Sequence, residues 1–215
     1  MRWRRRPSGR NLPWREVDYV AIDLETTGLD LKRDAIISYG AAVIRGGRII
    51  VADNSYGLAC PDSDISPQSI AVHTIRRVDV ADAPSPEELA RTLSDLIADR
   101  VVIAHSAWIE RAFLDNALHR IGQRMRAPMI DTAALCRALG LDPDLIADPR
   151  LEWAANQLQV PVVSPHHAMG DATTTAHVFL AAASILEARG YTTGQSFIDL
   201  TAGDRHTRAS GHRPN

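Results

Sequence analysis

The fold of this chain is most tightly constrained by a short acidic sequence that directly follows an apolar run. Residues 19–22 read Tyr-Val-Ala-Ile, and residues 23–28 read Asp-Leu-Glu-Thr-Thr-Gly. A β-branched, apolar run that stops near a glycine predicts a buried strand leading into a turn. Because side chains alternate along a strand, Asp23 and Glu25 project from the same face. Two such carboxylates repel each other unless a cation lies between them, which predicts a divalent metal site. The alternative is an acidic pair on an exposed edge strand.

The composition is that of a globular protein with one core. The chain has 215 residues, of which 45% are hydrophobic and 23% are charged, and its formal net charge is -2. No apolar run approaches the ~18 residues that span a bilayer, and no apolar stretch follows the N-terminal arginines. We therefore expect no membrane partner and a cytoplasmic location. The two cysteines, Cys60 and Cys136, lack the spacing of a zinc site.

The two ends of the chain differ in composition from its middle. Six arginines lie within residues 1–15, interspersed with proline and glycine, which predicts a flexible basic arm. The end of the 191–215 segment is polar and rich in arginine, histidine and glycine, and we expect a largely disordered tail there. A single domain is predicted between these ends, over residues 16–190.

The middle of the chain alternates strand and helix patterns. A Gly-Gly pair at residues 46–47 separates two apolar runs and predicts a hairpin, whose second arm continues toward Leu58. A Ser-Pro-Glu-Glu sequence at residues 85–88 has the pattern of a helix capping box. Further strands are predicted at residues 100–104 and 128–130, and a last helix at residues 170–189. The predicted fold class is α/β, a mixed central sheet of three antiparallel strands followed by parallel strands, flanked by helices.

Two more carboxylates follow at positions that this topology brings to the same edge of the sheet. Glu110 lies in the helix after the strand at residues 101–104, and Asp171 lies at the start of the last helix. In a mixed α/β sheet, functional groups gather near strand ends and the helix starts beside them. Four carboxylates in one cleft would repel strongly, whereas two divalent ions roughly 4 Å apart would neutralise them. Oxygen ligands without cysteine favour Mg²⁺ or Mn²⁺ over Zn²⁺. Taken alone, Glu110 also suits a solvated helix position.

Two histidines stand in a proline-flanked loop just before Asp171. They are His166 and His167, with four and three residues respectively between them and Asp171. A neutral imidazole can accept a proton from water near pH 7, so a loop histidine close to metal ions is a candidate general base. Two surface histidines without a chemical role are the alternative.

These residues resemble the motifs of the DEDDh 3′ to 5′ exonucleases, the group that includes the proofreading subunit of bacterial replicative DNA polymerase, RNase T and oligoribonuclease. Residues 23–28 resemble the first motif, residues 105–110 with Phe113 and Leu114 the second, and residues 166–172 the third. The resemblance covers about residues 17–188, nearly the whole predicted domain. Each motif alone is weakly specific, but three in order at the family spacing are strongly specific.

The resemblance implies an RNase H-like fold and stepwise hydrolysis of a single-stranded nucleic acid from its 3′ end. It implies that two Mg²⁺ or Mn²⁺ ions are held by Asp23, Glu25, Glu110 and Asp171, with His166 as the general base. Substrate contacts are implied for Thr26, Thr27, Gly28 and Leu29, around the terminal nucleotide, and for His105 of the second motif. DNA is favoured over RNA, in replication proofreading or repair, and a DNA polymerase subunit is a candidate partner.

One position departs from the family pattern. Glu110 stands where the family has aspartate, and Ser106 replaces the asparagine that is common after the motif histidine. The extra methylene moves the carboxylate by about one bond length and adds a torsion, so the second metal position could shift. We predict retained activity with a preference for Mn²⁺. The alternative is a catalytically impaired module that binds nucleic acid or a polymerase partner.

Overall fold

The protein is built around one mixed β-sheet. The computed structural model describes residues 9–141 and 148–211, with side chains up to residue 202. Its strands are β1 (Tyr19–Thr26), β2 (Ile36–Arg45), β3 (Arg48–Ile49), β4 (Ser55–Leu58), β5 (Val101–Ala104) and β6 (Met129–Asp131). The order across the sheet is β3-β2-β1-β5-β6, and β4 also pairs with β2. Strands β1 to β4 are joined by antiparallel pairings, whereas β5 and β6 run parallel to β1. The predicted α/β class and strand directions are confirmed.

The hairpin after β2 is shorter than the sequence predicts. β3 contains only two residues and is followed by a 3-10 turn over Val51–Asp53 before β4 returns to β2. Asn54 interrupts the ladder, because its side-chain oxygen accepts a hydrogen bond of 3.0 Å from the Val43 amide. A side chain thus takes the place of a backbone acceptor, and the predicted continuous strand toward Leu58 is wrong.

Helices cover both faces of the sheet. They are α1 (Pro67–His73), α2 (Pro86–Ile97), α3 (Trp108–His119), α4 (Thr132–Leu139), α5 (Leu151–Gln157), α6 (Ala168–Glu187) and α7 (Gly194–Gly211). One core cluster joins the sheet to α2 and α3, and a second joins it to α4, α6 and α7. The predicted capping box is present, since Ser85 accepts from the Glu88 amide and the Glu88 carboxylate accepts from the Ser85 amide. Within the described residues, no helix is long and apolar enough to cross a membrane.

Both predicted terminal segments contribute to the core. Trp14 is 1% exposed and Phe197 is fully buried; their rings meet edge to face at 6.3 Å, and both contact Phe179 of α6. Trp14 and Phe197 are therefore part of the core, whereas the predicted extents of a flexible arm and of a disordered tail stay predictions. Burial of these rings contributes to offsetting the entropy that is lost when both segments become ordered. Residues 1–8 and 212–215 lie outside the described residues, and the outer boundaries of the domain stay a prediction.

Candidate active site

Three of the predicted carboxylates meet beside the central strand. Asp23 and Glu25 lie on β1, and Asp171 lies in the first turn of α6. One oxygen from each of them falls within 4.8 Å of the other two. This separation suits oxygen ligands around one divalent cation, which the ligands approach at about 2.0–2.6 Å. The convergence predicted for these three residues from the sequence therefore occurs.

Asp171 reaches β1 because two glycines allow close backbone packing. Gly40 of β2 pairs with Asp23 in the β1–β2 ladder, and a Cβ atom at Gly40 would lie 2.1 Å from the Ala168 carbonyl oxygen. At Gly170 a Cβ would lie 2.4 Å from the Ser164 carbonyl oxygen. No other residue type fits at such distances. The start of α6 is thus pressed against the sheet at the level of Asp23.

Glu110 lies beside this cluster but is not one of the three converging groups. It is 8% exposed, in the first turn of α3, and its Oε2 atom is buried without a hydrogen-bond partner among the described residues. Asp171 Oδ1 is also buried without a hydrogen-bond partner among the described residues. Unpaired buried carboxylate oxygens are costly. Two such oxygens in one cluster indicate a site that binds cations. Hard oxygen donors favour Mg²⁺ or Mn²⁺ as the bound ion.

The turn before α3 fixes where Glu110 lies. Ser106 adopts a left-handed conformation with φ 56°, and its amide donates to Asp131 Oδ1 at 3.1 Å. The same Asp131 oxygen accepts from the Ala133 amide at 2.9 Å and so caps α4. Asp131 therefore joins the ends of β5 and β6 and holds the turn from which α3 starts.

The electrostatics of the cluster favour protonation or cation binding. Burial, followed by repulsion from Glu110, Asp171 and Glu25, raises the pKa of Asp23 well above its usual range. Burial and the charge of Asp171 raise the pKa of Glu25 to about 7. Burial raises the pKa of Asp171 to about 6 despite a hydrogen bond from the His166 amide, and burial raises the pKa of Glu110 to about 8. These carboxylates therefore keep their protons to a higher pH than ordinary carboxylates do, unless cations replace the protons.

The structure separates the two loop histidines. The His166 amide donates to Asp171 Oδ2 at 2.9 Å. The exposed ring of His166 lies with Nε2 4.0 Å from Glu152 Oε1. His166 has φ 60°, a conformation that turns the chain at this point. The ring of His167 instead stacks on Tyr56 at 4.7 Å. Of the two, His166 lines both cavities beside the carboxylates, whereas His167 lines the first of them.

Two cavities flank the cluster and share His166. The first, of about 260 Å³, is lined by Glu25, Ser38, Tyr56, Leu58, His73, Thr74, Ile75, Asp79, His166, His167 and Ala168. The second, of about 620 Å³, is lined by Asp23, His105, Arg150, Leu151, Glu152, Trp153, His166 and Asp171. A substrate that crosses the carboxylates has a concave surface on either side.

The predicted substrate residues after Glu25 mainly stabilise a turn. Thr26 Oγ1 donates to the Gly28 carbonyl at 2.7 Å. Thr27 is fully buried, and its hydroxyl donates to Asp34 Oδ1 at 2.7 Å. A Cβ at Gly28 would lie 2.4 Å from the Asp34 carboxylate. Only Leu29, 76% exposed, presents a free side chain, so the substrate contacts of the other three stay predictions that rest on their backbone.

His105 is engaged by the protein through both ring nitrogens. Its Nε2 donates to the Pro149 carbonyl at 2.6 Å, and its Nδ1 lies 2.8 Å from Thr132 Oγ1. Burial lowers the pKa of His105, which keeps the ring neutral. The structure thus gives His105 a positioning role between β5, α4 and the segment before α5. His105 also lines the second cavity, and its contact with substrate stays a prediction.

Several residues that line the cavities could not be identified from the sequence motifs. Tyr56, Glu152 and Trp153 line the cavities but belong to none of the three motifs. His73 lies in the segment that links the first and second motifs, and it is buried with Nε2 3.3 Å from the Thr26 carbonyl. Its Nδ1 accepts from the Ile75 amide, so Nε2 is the donor. His73 therefore braces the turn after β1.

The sheet order, the helices on both faces and the carboxylates at the end of β1 define an RNase H-like exonuclease fold. Residues 20–179 match the family described as RNase_T, exonuclease. The chain belongs to this exonuclease family.

Relatives and solved structures agree with this family. The chain is 30% identical over 178 residues to the PolC-type DNA polymerase III of Thermotoga maritima, a match that covers 82% of this chain and 13% of that protein. It is 32% identical over 184 residues to a DNA polymerase III subunit epsilon-like protein of Rhodobacter capsulatus, covering 84% of this chain and 26% of that protein. Among solved structures, exonuclease X in complex with 5′-overhanging duplex DNA is similar, with a TM-score of 0.68, 25% identity and coverage of 85% of this chain and 99% of that one. The chain thus spans only 13% and 26% of the length of the two DNA polymerase III relatives.

Proposed function

We propose that this protein is a metal-dependent 3′ to 5′ exonuclease that hydrolyses single-stranded DNA from its 3′ end. The observation that carries the proposal is the convergence of Asp23, Glu25 and Asp171 within 4.8 Å, with the buried, unpaired Glu110 beside them. Such a group is stable as a charged cluster only with cations bound.

The four carboxylates, Asp23, Glu25, Glu110 and Asp171, would hold two Mg²⁺ or Mn²⁺ ions. Bound there, the cations would supply the positive charge that stabilises the transition state of phosphodiester hydrolysis and promotes ionisation of water. The exposed ring of His166, held next to Asp171 by its own amide, would accept the proton of the attacking water. The phosphorus bond to the 3′ oxygen of the penultimate nucleotide breaks, which releases a nucleoside 5′-monophosphate.

The first cavity is the proposed site of the terminal nucleoside. Its volume of about 260 Å³ suits one nucleoside, and it is lined by Glu25 and by His73, whose ring contacts the Thr26 carbonyl. Its lining offers aromatic and apolar surface through Tyr56, Leu58 and Ile75, which contacts any base without reading its edge. Cleavage is therefore expected to depend little on sequence.

DNA is the proposed substrate because of the relatives. The PolC-type and epsilon-like proteins are DNA polymerase III components by name, and the exonuclease X structure contains duplex DNA with a 5′ overhang. A role in replication proofreading or repair and a polymerase partner belong to the same proposal. The cytoplasmic location expected from the sequence also stays a prediction.

The test is digestion of 5′-labelled single-stranded DNA and RNA of equal sequence by the purified protein. We expect a ladder that shortens from the 3′ end with Mg²⁺ or Mn²⁺, and none with chelator or with Asp23→Ala. Asp82→Ala is the matched control, because Asp82 is an exposed acidic residue outside both cavities, and it should cleave normally. No ladder from wild-type protein with either metal would contradict the proposal.

The position of Glu110 alone favours a second candidate function for the protein. Since Glu110 is not part of the converging group of three, the second metal position could be too weak for catalysis. The protein would then be a nucleic-acid-binding module with an exonuclease fold. Binding of the labelled oligomers without cleavage in either metal would favour this function.

A further inference from the structure

The second cavity contains a charged residue that the proposed mechanism does not use. Arg150 is exposed and precedes α5, and it lines the cavity together with Asp23, Asp171 and His166. Among the described residues that line this cavity, it is the one with a permanent positive charge. The other titratable side chains that line this cavity are carboxylates and histidines. A guanidinium in this place has the charge and donor geometry to bind an anion.

The backbone at Arg150 is tied to the active site on both sides. Pro149, the preceding residue, accepts a hydrogen bond of 2.6 Å from His105 at the end of β5. After Arg150, the buried residues Ala154 and Ala155 pack α5 against Val178 of α6. Arg150 is therefore held between two elements that also carry site residues, since α6 contains Asp171. Its position relative to the carboxylates follows from the fold.

Arg150 has no ion-pair partner among the carboxylates that the structure describes. In the described part of the chain, no ion pair within 4.0 Å joins it to a carboxylate, and the Glu152 carboxylate lies 4.0 Å from His166 Nε2. The neighbouring lining residues Leu151 and Trp153 add an apolar and aromatic wall. A cation next to an aromatic surface is the combination by which proteins bind a nucleotide chain, through its phosphate and its base or sugar face.

We propose that Arg150 binds a backbone phosphate of the nucleic-acid strand in the second cavity. This inference rests on the proposed function, because it concerns the substrate of the same site. Arg150 acts here as a substrate-binding residue that adds affinity without reading the base. Neutralising it should weaken binding about equally for all sequences and lower the salt dependence of binding by the share of one phosphate contact.

The test compares Arg150→Gln with Arg91→Gln, a matched change at an exposed arginine of α2 outside both cavities. Binding of a labelled single-stranded oligomer is measured by fluorescence anisotropy in chelator, which prevents hydrolysis, over a series of salt concentrations. For Arg150→Gln we expect weaker binding and a log–log salt slope reduced by about 0.7. Arg91→Gln should keep the wild-type slope. Equal slopes and affinities for Arg150→Gln and wild-type protein would overturn the inference.

A second binding experiment identifies which phosphate Arg150 contacts. It also distinguishes a direct contact from an indirect effect of the substitution. Oligomers with one neutral methylphosphonate at the last, penultimate or third linkage are bound to wild-type protein and to Arg150→Gln. At the contacted linkage the neutral group should weaken wild-type binding but have little further effect on Arg150→Gln. Additive losses at every linkage would show that no direct contact exists. If wild-type protein cleaves DNA but these results are negative, only this inference fails; if it neither binds nor cleaves, the proposed function fails as well.

Discussion

At the scale of single residues, Glu110 is the position that most affects the chemistry proposed here. Its carboxylate is buried and partly unpaired, so it behaves as a group built to face a cation rather than as a solvated helix residue. The interpretation of Glu110 as an ordinary surface glutamate is excluded by this burial. Its role as a metal ligand stays a prediction.

Replacing Glu110 tests that role. We expect Glu110→Gln to lower kcat and Mn²⁺ affinity by about 10–100-fold or more, because the second cation loses a charged ligand. Glu110→Asp should retain activity and shift the ratio of Mg²⁺- to Mn²⁺-supported rates toward Mg²⁺. The measurements are steady-state rates in each metal and Mn²⁺ titration by calorimetry. Unchanged Mn²⁺ binding in Glu110→Gln would remove Glu110 from the metal site.

The raised carboxylate pKa values predict how stability depends on pH in chelator. The pKa of Glu25 is about 7, that of Asp171 about 6 and that of Glu110 about 8, all above the ~4 of an unfolded chain. The folded state therefore binds more protons than the unfolded state across this range, so stability is present below about pH 4 and is lost as pH rises through about 6 to 8. We expect the unfolding midpoint in chelator to fall by several degrees between about pH 5 and pH 8. Thermal unfolding followed by circular dichroism measures this.

Two further samples serve as controls for the pH effect. Mg²⁺ or Mn²⁺ should restore stability at the higher pH, because the cations replace the protons. Asp23→Asn should flatten the pH dependence by removing one of the repelling charges. A midpoint that rises with pH in chelator would contradict the proposed state of the cluster.

At the scale of elements, the contact between β2 and α6 decides the geometry of the site. A Cβ at Gly40 would overlap the Ala168 carbonyl at 2.1 Å, so either the strand or the start of α6 has to move. We expect Gly40→Ala to destabilise the protein by about 1–3 kcal/mol and to lose most metal binding, since Asp171 moves with α6. Urea unfolding and Mn²⁺ titration measure the two effects. Gly46→Asn is a control in the hairpin turn, where a Cβ has space and asparagine tolerates the positive φ.

The cap of α2 lies outside both cavities. A substitution there therefore tests stability separately from activity. The Ser85 hydroxyl accepts from the Glu88 amide at the start of the helix. We expect Ser85→Ala to lower the free energy of unfolding by about 1 kcal/mol and to leave the cleavage rate unchanged. Urea unfolding and the DNA ladder assay together check this. A large loss of activity would mean that α2 contributes to the site in a way that its position does not suggest.

At the scale of the whole molecule, the two ends of the chain stabilise one another. Trp14, Phe179 and Phe197 form an aromatic cluster that joins the segment before β1 to α6 and α7. We expect Phe197→Ala to lower the free energy of unfolding by about 3–5 kcal/mol, whereas Asp199→Ala, at an exposed position of the same helix, should have little effect. Urea unfolding distinguishes the two. A small effect of Phe197→Ala would mean that α7 is not part of the folding unit.

Much of the fold and of the site could be predicted from local sequence. The strand before Asp23, the turn at the Gly-Gly pair and the capping box of α2 follow from patterns within a few residues and form as predicted. The second strand of the hairpin is shorter than predicted, and α6 begins at Ala168, two residues before the predicted start. The pairing of Asp23 with Glu25 on one face follows from the alternation of a strand. The family resemblance, also carried by short motifs, is confirmed by the family match.

The tertiary structure alone decided the features that depend on distant segments. Whether Trp14 and Phe197 are ordered depends on contacts between residues more than 150 positions apart, and how far Asp171 approaches Asp23 depends on the Ala168 backbone meeting Gly40. The hydrogen bond from His105 to Pro149, which holds Arg150 over the second cavity, is equally non-local. Residue patterns report local conformation and burial, because these depend on neighbours in the chain. Long-range packing determines which side chains meet, and so it decided the shape and the charge of the site.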